Sequence, residues 1–165
     1  MDHHMIEKYE KLWLYVASAL IAILVLVTIG NVVNSAIPSV GNHHDHSLKK
    51  VDLTNLAATP FATPGLKQNA SGEYELYMLS QAFMFNPPEV KVPAGKPITL
   101  YVTSTDVLHG LQIEKTNVNI EVLPGEVAKV TYTFKKPGTY RVGCNEYCGV
   151  GHANMMSKLI VEEAK

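Results

Sequence analysis

Neither sign of charge is in excess in this sequence. Its 165 residues carry 14 Lys and Arg against 15 Asp and Glu, a formal net charge of −1. That balance excludes a polybasic nucleic-acid binder and an acidic disordered chain. Cysteine is scarce as well, and two residues are too few to staple a disulfide scaffold. Tryptophan occurs once, at Trp13. Charge is absent altogether from residues 12–44, which contain no Asp, Glu, Lys or Arg. The 47% hydrophobic content therefore averages two unlike compositions.

The uncharged stretch holds an apolar run of 22 residues, 12–33. As a helix it would extend about 33 Å, enough for a hydrocarbon core of about 30 Å. Its polar members are Ser18, Thr28 and Asn31, and a hydroxyl can bond back to the helix backbone. Trp13 and Tyr15 suit the lipid–water interface. The hydrophobic core of a cleaved signal is about 7–15 residues, and a soluble core helix would show a polar face. The expectation is an uncleaved transmembrane helix over residues 12–33, behind a short flank at 1–11. Lys8 and Lys11 are offset by Asp2, Glu7 and Glu10, and Lys49 and Lys50 lie beyond the span, so the flanking charges do not set its orientation.

Residues 34–72 are rich in small and polar side chains, with Pro38, Gly41, Pro60, Pro64 and Gly65 and no sustained periodicity. They read as a connector, with room for a short helical stretch. His43, His44 and His46 cluster there around Asp45; a solvated turn explains them better than a metal site.

Residues 73–165 alternate with period two. Ile98, Leu100 and Val102 form one inward set, Ala128, Val130, Tyr132 and Phe134 a second, and Tyr140, Val142 and Cys144 a third. Turns fall at Pro93-Ala94-Gly95, Pro124-Gly125 and Pro137-Gly138. Short strands at this spacing, without a long helical pattern, predict an all-β Greek-key sandwich or barrel.

Both cysteines lie in one short stretch, Cys144-x3-Cys148-x3-His152-x2-Met155, after the strand that ends near Val142. Two thiolates, an imidazole and a thioether are soft donors that favour copper over magnesium, calcium or manganese. His109, just after the 98–102 strand, offers a second imidazole. A mononuclear blue-copper site takes one Cys, two His and a weak axial ligand, which leaves one cysteine surplus. Two thiolates bridging two coppers, each capped by one His, use all four strong donors, with Met155 and a loop carbonyl as weak axial ligands. A Cys144–Cys148 disulfide and a structural Cys2His2 zinc site are the alternatives. Both leave Met155 without a role.

These residues resemble subunit II of the heme-copper cytochrome c oxidases. The resemblance rests on Asp106-Val107-Leu108-His109, on Leu123-Pro124-Gly125 and on the Cys144 to Met155 loop, behind an N-terminal anchor. It implies a cupredoxin-like β-barrel with a dinuclear CuA centre. In it Cys144 and Cys148 bridge the coppers, His109 and His152 cap them, Met155 is a weak ligand and Glu146 contributes its backbone carbonyl. It further implies an electron-transfer subunit that takes electrons from a cytochrome c and passes them to heme in subunit I, where dioxygen is reduced with proton pumping. The N-terminus would lie in the cytoplasm and the copper domain on the periplasmic or outer face of a prokaryotic membrane. A CuA subunit of a nitric oxide reductase and a membrane-anchored copper-delivery protein are the alternatives.

Two departures from the family pattern carry information. One apolar span in place of the usual two resembles the B-type branch, where a small single-helix subunit supplies the other helix. The family's Trp-rich segment is replaced by Gln81-Ala82-Phe83-Met84-Phe85-Asn86-Pro87, so Phe83, Met84 and Phe85 are the candidate docking patch for the electron donor. The resemblance also offers the Glu146 carboxylate to a magnesium ion at the border with subunit I, although the B-type branch tends to have Gln there.

Overall fold

The computed structural model describes residues 3–33 and 50–163 of the chain. His43, His44 and His46 lie outside the described residues. The chain divides into two units, Met1–Ile37 and Pro38–Lys165.

The first unit is one helix, α1 (His3–Val33), of 31 residues. It begins nine residues before the apolar run because Glu7, Lys8, Glu10 and Lys11 are good helix formers that extend it without a break. Its apolar side chains, Leu20, Leu24 and Leu26 among them, are exposed within the chain itself. Ile6–Val33 is long and apolar enough to cross a membrane. The Thr28 hydroxyl donates to the Leu24 carbonyl at 2.8 Å, so the helix satisfies that polar group internally, as lipid would require.

The second unit is a sandwich of two five-stranded sheets. The first sheet is ordered β1 (Gly65–Gln68), β2 (Tyr74–Gln81), β5 (Pro97–Ser104), β8 (Ala128–Thr133), with β3 (Met84–Asn86) also on β2. The second is ordered β4 (Glu89–Pro93), β10 (Met156–Glu162), β9 (Gly138–Gly143), β6 (His109–Ile113), β7 (Asn119–Val122). The β2–β5 and β4–β10 pairs are parallel and the rest antiparallel. Alternation delivers the predicted inward sets: Ile98, Leu100 and Val102 are fully buried, against Leu76, Met78, Leu111, Val142 and Leu159. Phe134 closes one side of this core, edge-on to Tyr132 at 4.8 Å and to Tyr140 at 5.3 Å between ring centroids.

The stretch expected to be a connector is more structured than its composition suggests. Two short 3-10 helices, Leu53–Ala58 and Pro60–Ala62, precede β1. Three residues per turn leave no 3.6-residue pattern to detect. Asp52 caps the first helix by accepting from the Thr54 amide at 2.9 Å, and Val51 donates its amide to the Gly125 carbonyl at 2.8 Å. Phe61 packs with Leu79 and Val127 in a second, smaller core, bordered by Tyr77 and Tyr101. Those two rings stack at 5.0 Å, with the ammonium groups of Lys67 and Lys129 over Tyr77 and Tyr101 respectively.

This small core has a pH signature. Burial, reinforced by the bond from its hydroxyl to Glu75 and by the Glu75 charge, pushes the Tyr77 phenol from 10.0 up to about 12. The folded chain then keeps a proton that the unfolded chain loses. The resulting stabilisation is complete below about pH 10 and is lost as pH rises towards about 12. Chemical denaturation across that range should show a steeper decline for the native sequence than for Tyr77→Phe. Parallel declines would refute it.

Candidate metal centre

The topology places the soft donors at one end of the sandwich. β9 and β10 are antiparallel neighbours, with Gly143 opposite Met156, and the chain between them runs from Cys144 to Met155. The Cys144 amide donates to the Met155 carbonyl at 3.1 Å and closes this loop at its base. Inside it, His152–Asn154 forms a 3-10 turn, with the Met155 amide bonded to the His152 carbonyl at 3.0 Å. β6 pairs with β9 only at Gln112 and Ile113. On its β9 side the start of β6, at His109 and Gly110, therefore lies beside the loop, while its other side pairs with Val122 and Glu121 of β7.

Gly110 makes this approach possible. A Cβ there would sit 1.9 Å from Asn145 Oδ1 and 3.0 Å from the Glu146 backbone nitrogen. Gly149 and Gly151 play the same part on the outside of the loop, where the Phe83 ring rests against them. Added Cβ atoms would come within 2.9 Å and 2.4 Å of that ring, and Gly149 also has φ of +130°.

The donors fall into two sets around the sulfur pair. Cys144 Sγ lies 3.8 Å from His109 Nδ1 and 3.2 Å from the Glu146 carbonyl oxygen. Cys148 Sγ lies 3.6 Å from His152 Nδ1 and 3.7 Å from Met155 Sδ. The two sulfurs are 3.9 Å apart, and both cysteines are free. A disulfide needs about 2.05 Å, so that alternative is not what the fold builds. Separations of 3.6–3.9 Å are those of donors sharing an ion through bonds of about 2.0–2.3 Å. The His109, Cys144 and Cys148 donor atoms all lie within 4.8 Å of one another. The residues present thus fit soft metal ions.

His109 is fully buried, and Met155 nearly so. Burial, with the neighbouring Cys144 adding to it, pushes the Cys148 thiol from 9.0 up to about 11. Occupancy by a metal would displace that proton. Asp106 is held below the usual carboxylate range. Burial pushes its carboxyl up, but bonds from the Ala82 amide, the His109 ring and the Val107 amide outweigh this.

All six sequence-predicted ligands, His109, Cys144, Glu146, Cys148, His152 and Met155, converge here. The docking trio divides. Phe83 and Met84 are exposed, at 36% and 50%, whereas Phe85 is 1% exposed and belongs to the main core. Phe85 is therefore corrected from the surface patch to the interior. Met84, Phe85 and Asn86 form β3, and the period of two turns the middle residue inward. Sequence reasoning missed Tyr147 and Val150, which the ligand loop leaves 78% and 96% exposed. It also missed Asp106 as a partner of His109, although a carboxylate three residues before a candidate ligand is a readable signal.

A two-sheet β domain that gathers cysteine, histidine and methionine on loops at one end is a cupredoxin-like copper protein, here with one N-terminal apolar helix. Residues 69–164 match the family model described as "Cytochrome C oxidase subunit II, periplasmic domain". Cytochrome c oxidase subunit 2 of Thermus thermophilus is 40% identical over 167 residues, covering 98% of this chain and 96% of that protein. A chain from a heme-copper terminal oxidase dimer superposes with a TM-score of 0.59 at 34% identity, covering 88% of this chain and 97% of its own. A nitrous-oxide reductase of Cupriavidus necator is 39% identical over 87 residues, 50% of this chain but 14% of that enzyme. The chain belongs to the cytochrome c oxidase subunit II family. It is an electron-transfer subunit of an oxidoreductase complex.

Proposed function

We propose that the centre holds two copper ions between the Cys144 and Cys148 thiolates, as a CuA site. His109, His152, Met155 and the Glu146 carbonyl would be the remaining donors. The observation that carries this reading is a pair of thiol sulfurs 3.9 Å apart, with an imidazole nitrogen 3.8 Å from one and 3.6 Å from the other. Copper, when bound, supplies a centre that gains and loses a single electron. The chain's part is to share that charge over two thiolates and to hold the donors on a loop closed at its base. That keeps rearrangement small on electron transfer.

The donor is a cytochrome c docking on the apolar surface of Phe83 and Met84, flanked by Tyr147 and Val150. Electrons pass on to heme in subunit I, where dioxygen is reduced with proton pumping. The apolar run 12–33 anchors the chain in lipid with its N-terminus in the cytoplasm and its copper domain outside, and a small single-helix subunit completes the membrane part. The Glu146 carboxylate, with its carbonyl turned to Cys144, serves a magnesium ion shared with subunit I.

Spectroscopy of the copper-loaded full chain tests the centre. A purple protein with two coppers per chain and a seven-line mixed-valence EPR signal is expected. One copper with a four-line signal would overturn the reading. Turnover of the assembled complex with dioxygen, and not nitric oxide, separates oxidase from nitric oxide reductase.

Docking on apolar side chains has a kinetic consequence. Residues 73–165 carry 10 acidic and 9 basic side chains, so long-range steering is weak. Association with the donor should change by less than about threefold between low and physiological salt. A many-fold fall, measured by stopped flow, would show that charge drives docking.

A further inference from the structure

We propose that Asp106 is a positioning residue whose single carboxylate fixes both the ring of His109 and the seating of Phe83 on the ligand loop. One oxygen, Oδ1, accepts from His109 Nε2 at 2.8 Å and from the Val107 amide at 2.7 Å. The other, Oδ2, accepts from the Ala82 amide at 2.6 Å. Ser104 aims the turn: its hydroxyl donates to the Val107 carbonyl at 2.5 Å and accepts from the Asp106 amide at 3.2 Å.

The first bond decides where the His109 proton sits. A carboxylate only accepts, so it selects the tautomer with hydrogen on Nε2. Nδ1 is then left with its lone pair towards Cys144 Sγ, 3.8 Å away. The imidazole is fully buried, so no water competes for the ring.

The second bond works on the surface. The Ala82 amide lies one residue before Phe83, whose ring rests on Gly149 and Gly151 of the loop that carries Cys148 and His152. Asp106 thus joins β6, the turn between β2 and β3, and the ligand loop through one side chain. The buried ligand and the exposed aromatic become parts of one rigid unit, so neither can move without straining the other.

The inference rests on the proposed centre, since it makes Nδ1 a ligand atom, but it can be read in metal-free protein. The full chain, in detergent and with its thiols reduced, is compared as native sequence, Asp106→Ala and Asp106→Asn. Nitrogen-15 NMR of the native His109 ring should show one tautomer, protonated at Nε2. Asp106→Ala should give mixed tautomers, and the Ala82 amide should exchange about tenfold faster, the scale of one charge-assisted hydrogen bond. Asparagine has one acceptor oxygen in place of two, so Asp106→Asn should restore one of these readouts and not both.

Retention of both readouts in Asp106→Ala overturns the proposal. So does uniform acceleration of exchange across the β strands, which would mark a merely structural residue. If the alanine variant does not fold, the split in Asp106→Asn decides. A native chain that binds one copper would overturn the dinuclear reading and leave the tautomer result standing.

Discussion

Replacing Cys148 with serine should reduce copper binding to at most one ion per chain and slow electron transfer more than about a hundredfold, beyond the loss expected from removing an outer partner. The thiol sits 3.9 Å from Cys144 Sγ, 3.6 Å from His152 Nδ1 and 3.7 Å from Met155 Sδ, so it is the atom around which three other donors gather. A serine hydroxyl is a hard donor and does not replace a thiolate that softer copper prefers. The loop itself should persist, because its base is a backbone bond from Cys144 to Met155. Copper per chain and the EPR line count provide the measurement, with circular dichroism as the check on folding. Met155→Leu is the contrasting case. On the proposed centre it would remove only a weak ligand, so two coppers should remain and the reduction potential should shift. Two coppers in Cys148→Ser would remove the bridging role.

Gly110→Ala should also be damaging, although it replaces no ligand side chain. Its Cβ would fall 1.9 Å from Asn145 Oδ1, which can rotate away only by breaking the bond from Asn145 Nδ2 to Asn119 Oδ1 at 2.8 Å. It would also meet the Glu146 backbone nitrogen at 3.0 Å, and backbone cannot rotate away. The loop must shift from β6, taking the Glu146 carbonyl and Cys144 out of register with His109. A loss of about 1–3 kcal/mol in stability is expected from such overpacking, with copper affinity down by about tenfold or more. Gly143→Ala is the internal control, since a Cβ there meets nothing within 4 Å. Denaturant titration and copper titration of the two variants should diverge. Equal behaviour would mean that the β6–loop contact does not position the ligands.

Much of this was legible in the sequence because it depends on local spacing. Cys144, Cys148, His152 and Met155 lie within twelve residues, so any tight loop brings them together, and the alternation at Ile98, Leu100 and Val102 predicts their burial directly. His109 was assigned by chemistry: a second imidazole was needed, and one stood just after the 98–102 strand. Features that depend on contacts between distant segments were not legible. Phe85 looked like part of an exposed aromatic group until β3 fixed its register against Leu79, Ser80 and Gln81 of β2. The stretch before Gly65 read as a connector with room for a short helical stretch, and its two 3-10 helices could not be placed because they and a capping Asp52 leave no period. Asp106 stood in a recognised motif, yet its bond to Ala82 crosses 24 residues, and no spacing rule reports that.

The short pairing of β6 with β9 has a mechanical meaning. Gln112 and Ile113 are in register with β9, and the Glu114 amide donates to the Arg141 carbonyl at 2.9 Å just beyond them, so it is the His109–Gly110 end of β6 that has no β9 partner. In the proposed centre, an ion held by His109 and Cys144 would tie this end of β6 to the loop across 35 residues of sequence, a cross-link on a long chain loop. Stripping the metal should therefore let the sandwich begin to unzip at its copper end, while the β2–β5 pairing holds the rest together.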